Sequence, residues 1–232
     1  MVVGSQRGNA LDIVRAVLDA GCDPEVICLD MCREMFDKEN LTCRYTPLGS
    51  AVLFNSKPYI DLLLEYGADL NKPPTSTSKR TALQSAVELG RTDMIPYLVG
   101  KGADVNVPPA PLAGFTALQL AAKAGFTPIA EYLIEQGAQV NAPRARIHGR
   151  TAFEAATEYG RLDMMLLLVR SGADLVSHFG EKQFERAIKF ATARRETPAV
   201  ELAHELREKI LQARAEVEQE LSPSPLFDFD MS

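Results

Sequence analysis

Apolar residues along 46–180 recur as pairs of short helical patterns, and the pair returns every 35 positions. In the first member of each pair, Leu48 with Ala51 and Val52, Leu83 with Ala86 and Val87, and Leu118 with Ala121 and Ala122 fall at i, i+3 and i+4, one face of a helix. In the second member, Ile60 with Leu63 and Leu64, Ile95 with Leu98 and Val99, and Met165 with Leu168 and Val169 repeat that spacing with larger side chains. Small residues let neighbouring units stack closely, and the larger ones build a continuous core that no single unit could bury alone. The pattern predicts an all-α fold, a helical-repeat solenoid of stacked helix-turn-helix units.

The punctuation keeps the same register. Thr46, Thr81, Thr116 and Thr151 open "TPLGSAVLFN", "TALQSAVELG", "TALQLAAKAG" and "TAFEAATEYG". Asn55, Gly90, Gly125 and Gly160 end those stretches, residue types suited to positive φ after a helix. Pro58 and Pro128 fall in the first turn of the second helix, with Thr127 placed to cap before Pro128. Pro96 lies three residues further on and is expected to remove about one hydrogen bond and distort its helix. The second helices run into Gly-Ala closures: "YIDLLLEYGADLN", "MIPYLVGKGADVN", "IAEYLIEQGAQVN" and "MMLLLVRSGADLV".

These four units resemble the ankyrin repeat, whose pattern is a turn, T-P-L-H-x-A-A, a Gly, a second helix and G-A-D-x-N. Two departures stand out. The pattern's His is replaced by Gly49, Gln84, Gln119 and Glu154, and the period exceeds the usual ~33 residues by two. The extra length falls in the Pro-bearing connectors "KPPTSTSKR", "VPPAPLAGF" and "APRARIHGR", which resemble those of ankyrin arrays in large multi-domain fungal proteins.

Beyond the four units at 46–180, the register extends both ways. "RAIKFATARRETPAVELAHEL" places Arg186 in the Thr column and Thr197-Pro198 in the columns of Thr127-Pro128, so 181–221 reads as a degenerate capping repeat with a long second helix. Its stripe of Ala203, Leu206, Ile210, Ala213 and Val217 fits capping better than a short coiled-coil seam. Residues 222–232 read as a flexible acidic-aromatic tail, a docking peptide with Phe227 and Phe229 as anchors. Upstream, 1–24 fits only the second half of a repeat, and 25–45 reads as an inserted helix and linker around "PEVICLDMCREMF". Met1 thus falls inside a unit; the alternatives are an irregular N-terminal cap and a fragment of a longer array, the second being favoured.

Composition narrows the function. The net charge of −6 equals that of residues 196–232 alone, where nine acidic side chains face three basic ones, so the rest of the chain is neutral. The clustered positive field of a nucleic-acid binder is missing, which argues against DNA or RNA as partner. The sequence shows neither a signal-peptide pattern nor the long apolar run of a membrane helix, so a cytoplasmic or nuclear protein with no membrane role is expected. Cys22, Cys28, Cys32 and Cys43 match no zinc-finger spacing and read as ordinary thiols; the Cys28/Cys32 pair is the one metal alternative. No catalytic motif is present, and His148, His178 and His204 stand apart in the sequence. The expectation is a non-catalytic module with no cofactor and no metal.

If the resemblance holds, connector tips and the ends of the first helices line a concave face that binds another protein. Carried column by column, it assigns the residue before each Thr, Tyr45, Arg80, Phe115 and Arg150, and those ending the first helices, notably Phe54, Glu88, Lys123, Glu158 and Tyr159. Aromatic residues and arginines are the composition of interface hot spots, although Phe54 and Tyr159 could equally pack against neighbouring units. Two other readings remain: an array adapted as an enzyme with a pocket in that face, and the recognition arm of a larger switch protein. In "NAPRARIHGRT", Arg144, Arg146 and His148 read as a charged knuckle on a connector rather than an anion site.

Overall fold

Each repeat begins where a threonine hydroxyl satisfies a helix's orphan N–H groups. In the computed structural model, which describes residues 10–25, 46–75 and 80–221, the Thr46, Thr81, Thr116 and Thr151 hydroxyls accept from the N–H of Gly49, Gln84, Gln119 and Glu154. In the last three units the side chain of Gln84, Gln119 or Glu154 also accepts from the threonine's own N–H, completing a capping box. The first helices that follow are α2 (Pro47–Leu53), α4 (Ala82–Glu88), α6 (Ala117–Ala124) and α8 (Ala152–Glu158). Asn55, Gly90, Gly125 and Gly160 then reverse the chain at φ of 55°, 64°, 81° and 64°.

The second helices are α3 (Lys57–Glu65), α5 (Met94–Gly100), α7 (Thr127–Glu135) and α9 (Leu162–Arg170), each closing on a glycine in the left-handed region. Two expectations need correction. Thr127 is the first residue of α7 rather than its cap; Phe126 holds the cap position and offers no side-chain acceptor, whereas Ser56 in the same column does cap α3. Pro96 does not distort the middle of a helix. Arg91 to Asp93 form a turn instead, and α5 starts at Met94, so the proline falls in the first turn, where its missing N–H has no intrahelical partner to lose.

One core runs the length of the stack, with Ile60, Leu63, Leu83, Ile95, Leu98, Leu118, Leu133, Phe153, Met165 and Leu168 almost fully enclosed. The small positions of the first helices, Ala51, Ala86, Ala121 and Ala156, are fully buried where units meet. Along the turns, asparagines add a polar ladder with the same period. Asn71, Asn106 and Asn141 each donate to the carbonyl of the next unit's glycine, Gly102, Gly137 and Gly172, at 2.8–2.9 Å. Each also accepts an N–H two residues further on, from Asp104, Gln139 and Asp174.

The N-terminal half repeat joins the same stack. α1 (Ala10–Asp19) buries Val14 and Leu18 and leaves Ile13 half exposed. Glu25 stands in the asparagine column, and its carboxylate accepts from Asp69 N–H at 2.7 Å and from Lys72 at 2.8 Å. Of the inserted segment, residues 26–45 lie outside the described residues, and with them Cys28, Cys32 and Cys43; Cys22 is exposed.

At the other end the last connector is absent. α10 (His178–Arg194) is one unbroken helix, capped by Ser177 and starting three residues before the boundary read from the sequence at 181. Arg186 therefore sits mid-helix and opens nothing, because a helix that continues through the threonine column needs no cap there. α11 (Thr197–Leu221) packs Ala199, Ala203 and Leu206 on the stack and carries its later turns, from Leu211 on, into solvent. Residues 222–232, with Phe227 and Phe229, lie outside the described residues.

Candidate functional site

The residue before each capping threonine and the residue eight positions later face one another on the inner ends of the first helices. In the second unit Arg80 clamps Glu88 bidentately, Nε to Oε2 at 3.2 Å and Nη2 to Oε1 at 3.1 Å. In the fourth, Arg150 Nε reaches Glu158 Oε2 at 2.6 Å. The third unit replaces arginine by Phe115 and glutamate by Lys123, and the Lys123 ammonium lies 5.1 Å from the ring centre of Phe115 and 5.7 Å from that of Tyr159. An attraction of cation to ring thus takes the place of the ion pair.

These pairs join into a strip across the units. The Arg80 guanidinium also lies over Phe115, at 5.8 Å, which links the second unit to the third. Lys123 links the third to Tyr159 of the fourth. From α10, Arg194 stacks on Tyr159 at 4.2 Å, donates to its hydroxyl at 3.2 Å and meets the second oxygen of Glu158 at 3.1 Å. Arg150 in turn stacks on Phe190 at 3.6 Å. The hydrogen bond to Glu158 holds the Arg194 guanidinium protonated more firmly than an ordinary arginine.

The sequence-derived candidates differ in accessibility. Phe115, Arg80 and Glu158 are buried, at 8%, 9% and 8% exposure, so the edge of the ring and the guanidinium rather than whole side chains reach the surface. Phe54, Lys123, Arg150 and Tyr159 are half buried, and Glu88 is exposed. Tyr45 lies outside the described residues. Phe190 and Arg194 were missed. Arg194 stands 35 residues after Tyr159, in the same column, so the period could have found it; Phe190 is reachable only because α10 lacks a connector.

Beneath the strip, the column where the pattern's histidine is replaced anchors each unit to the next. Gln84 Nε2 donates to the Val107 carbonyl at 3.1 Å, and Gln119 Nε2 to the Ala142 and Pro143 carbonyls at 3.1 Å each, both in the following connector. The fourth unit faces no connector. Its Glu154, fully buried, instead accepts from Arg186 Nε at 2.5 Å.

On the opposite side the second helices carry another charged cluster. Tyr97 lies between Lys57 and Lys101 and donates to Asp61 at 2.5 Å. Burial, and then that bond to Asp61, pushes its phenol up to about 12. Hydrogen bonds from Lys101 and Tyr97 hold the Asp61 carboxyl below its usual range.

A family model described as ankyrin repeats, in three copies, matches residues 3–109 and 110–178. The chain belongs to the ankyrin-repeat family. Ankyrin repeats are generally protein–protein interaction modules and typically non-enzymatic. The family match ends at the start of α10, so the two helices completing the strip and the stack, α10 and α11, lie beyond it. Comparison with curated proteins finds no relative that matches. Among the described residues no helix is long and apolar enough to cross a membrane.

Proposed function

We propose that the protein is a non-catalytic binding module whose concave strip, from Glu88 through Phe115, Lys123 and Tyr159 to Arg194, Arg150 and Phe190, docks a partner protein. The observation that carries this reading is the ordering of the strip before any partner arrives. Long side chains are held by ion pairs and ring contacts across four units, so a partner does not have to freeze them on binding. The third unit adds a direction. Lys123 has no carboxylate partner among the described residues, while the arginines in the second and fourth units are each neutralised by a glutamate. The strip therefore offers one uncompensated cation between two aromatic rings, a place for an Asp or Glu of the partner.

Affinity capture with the wild-type chain, the Lys123→Glu variant and the Phe115→Ala/Arg150→Ala double variant tests this. Lys123→Glu lies in the half-buried part of the strip and is expected to lose the retained protein without loss of fold, as read by circular dichroism. Retention of the same proteins by all three chains would misplace the strip.

A further inference from the structure

The connectors preceding the third and fourth units share one conformation. Ala113 and His148 sit at φ of 52° and 56°, and a Cβ on the glycine that follows each would fall 2.2 Å from the Ala110 carbonyl oxygen or 2.3 Å from Ala145 N. Only a residue without Cβ lets either loop close on itself in this way. The closure brings Leu112 beside Ile147 in a parallel bridge, with Ala113 N–H donating to Ile147 O at 2.8 Å and Ile147 N–H to Pro111 O at 3.1 Å. Both side chains stay open to solvent, at 45% and 48% exposure. Around Ile147 stand Arg144, Arg146 and His148, all exposed and none with a carboxylate partner among the described residues. The tip is thus apolar and basic at once, and nothing in the stack neutralises it.

One segment of the chain has the complementary chemistry. In Leu226-Phe227-Asp228-Phe229-Asp230 aromatic and acidic residues alternate, so an extended chain presents Phe227 and Phe229 on one side and Asp228 and Asp230 on the other. α11 also carries the chain to the correct side of the stack. Arg207 Nε donates to the Leu175 carbonyl at 3.2 Å, level with the row of closing turns from which the connectors leave. The 14 helical residues that follow Arg207 span about 21 Å. The 11 residues after Leu221 reach at most about 36 Å, whereas neighbouring helices pack about 10 Å apart.

We infer that residues 226–230 dock in cis on this connector tip, Phe227 and Phe229 covering Leu112 and Ile147 while Asp228 and Asp230 pair with Arg144 and Arg146. A short tether sets the local concentration of the segment at roughly millimolar, enough to populate a contact that a free peptide would make only weakly. The notch of about 480 Å³ on α11, between Ile210, Ala213, Arg214, Val217 and Glu218, is a poorer seat, because Glu216, Glu218 and Glu220 repel an acidic segment there.

Methyl NMR spectra of the full chain test the inference, comparing wild type with Phe227→Ser/Phe229→Ser and with Arg144→Glu/Arg146→Glu. All four positions lie outside the core, so both variants should fold. The expected result is that the Leu112 and Ile147 methyl resonances move in the tail variant, that the arginine variant moves them the same way, and that neither effect changes on dilution. Unmoved Leu112 and Ile147 resonances would overturn it, as would shifts confined to Val217 on α11. A dilution-dependent shift would also overturn it, placing the segment on a second copy of the chain.

Discussion

Arg186→Leu should be the most damaging single change at the C-terminal end of the stack, because of what it leaves behind. Glu154 is fully buried, and its two oxygens accept from Thr151 N–H at 3.2 Å and Arg186 Nε at 2.5 Å. Removing the guanidinium strands a carboxylate in the interface between α8 and α10, and breaking a buried pair from one side costs about 3–5 kcal/mol. Glu154→Gln should cost far less. Glutamine already fills this column as Gln84 and Gln119, accepts the same capping N–H there, and leaves Arg186, at 27% side-chain exposure, free to turn to water. The loss is then one charge-assisted hydrogen bond, about 1.5–3 kcal/mol.

The double variant Glu154→Gln/Arg186→Leu carries no stranded charge and should be more stable than Arg186→Leu alone, with a coupling of about 2–3 kcal/mol between the positions. Urea unfolding followed by circular dichroism gives the three stabilities, and hydrogen exchange in α10 and α11 shows whether the loss is local to the cap. Equal costs for the two single variants, or strictly additive costs in the double, would refute the argument. The consequence reaches the strip, because α10 supplies Phe190 and Arg194.

Two other outcomes follow from the geometry. Asn106→Ala removes one bond to the Gly137 carbonyl and one from Gln139 N–H, both 2.9 Å and both accessible to water, so the midpoint of urea unfolding should fall by an amount equivalent to about 1–2 kcal/mol. Tyr97 should still be protonated where an ordinary tyrosine titrates near 10. Its raised value means that its contribution to stability is complete below 10 and is lost as pH climbs through about 12, and Asp61→Asn should bring its tyrosinate absorbance to lower pH by removing the second cause of the shift.

The period of 35 was enough to read the four central units, because caps, reversing residues and core positions all depend on local spacing. It did less well where one residue type can serve two local geometries. Thr127 is a good cap by type, yet the helix starts one residue earlier and uses Phe126, and Pro96 moved the start of α5 instead of breaking it. The strip's columns were legible too, but their internal bonding was not. An Arg and a Glu eight residues apart are neighbours only because the chain enters the helix through an extended residue and the pair meets at its far end. The terminal unit was the least legible part, since α10 has no threonine, connector or closing motif to set its register.

The strip serves binding and stacking with the same side chains, and the two roles can be separated by burial. Phe115, Arg80 and Glu158 are each less than a tenth exposed and link adjacent units, so truncating them loosens the stack before it removes any surface. Lys123 touches two rings, makes no ion pair among the described residues and remains half open, so reversing its charge alters what the face offers more than what holds it together. A loss of binding in the Phe115→Ala/Arg150→Ala chain alone would therefore be ambiguous between a damaged stack and a lost contact. The same loss in Lys123→Glu, at unchanged urea midpoint, would assign it to the surface.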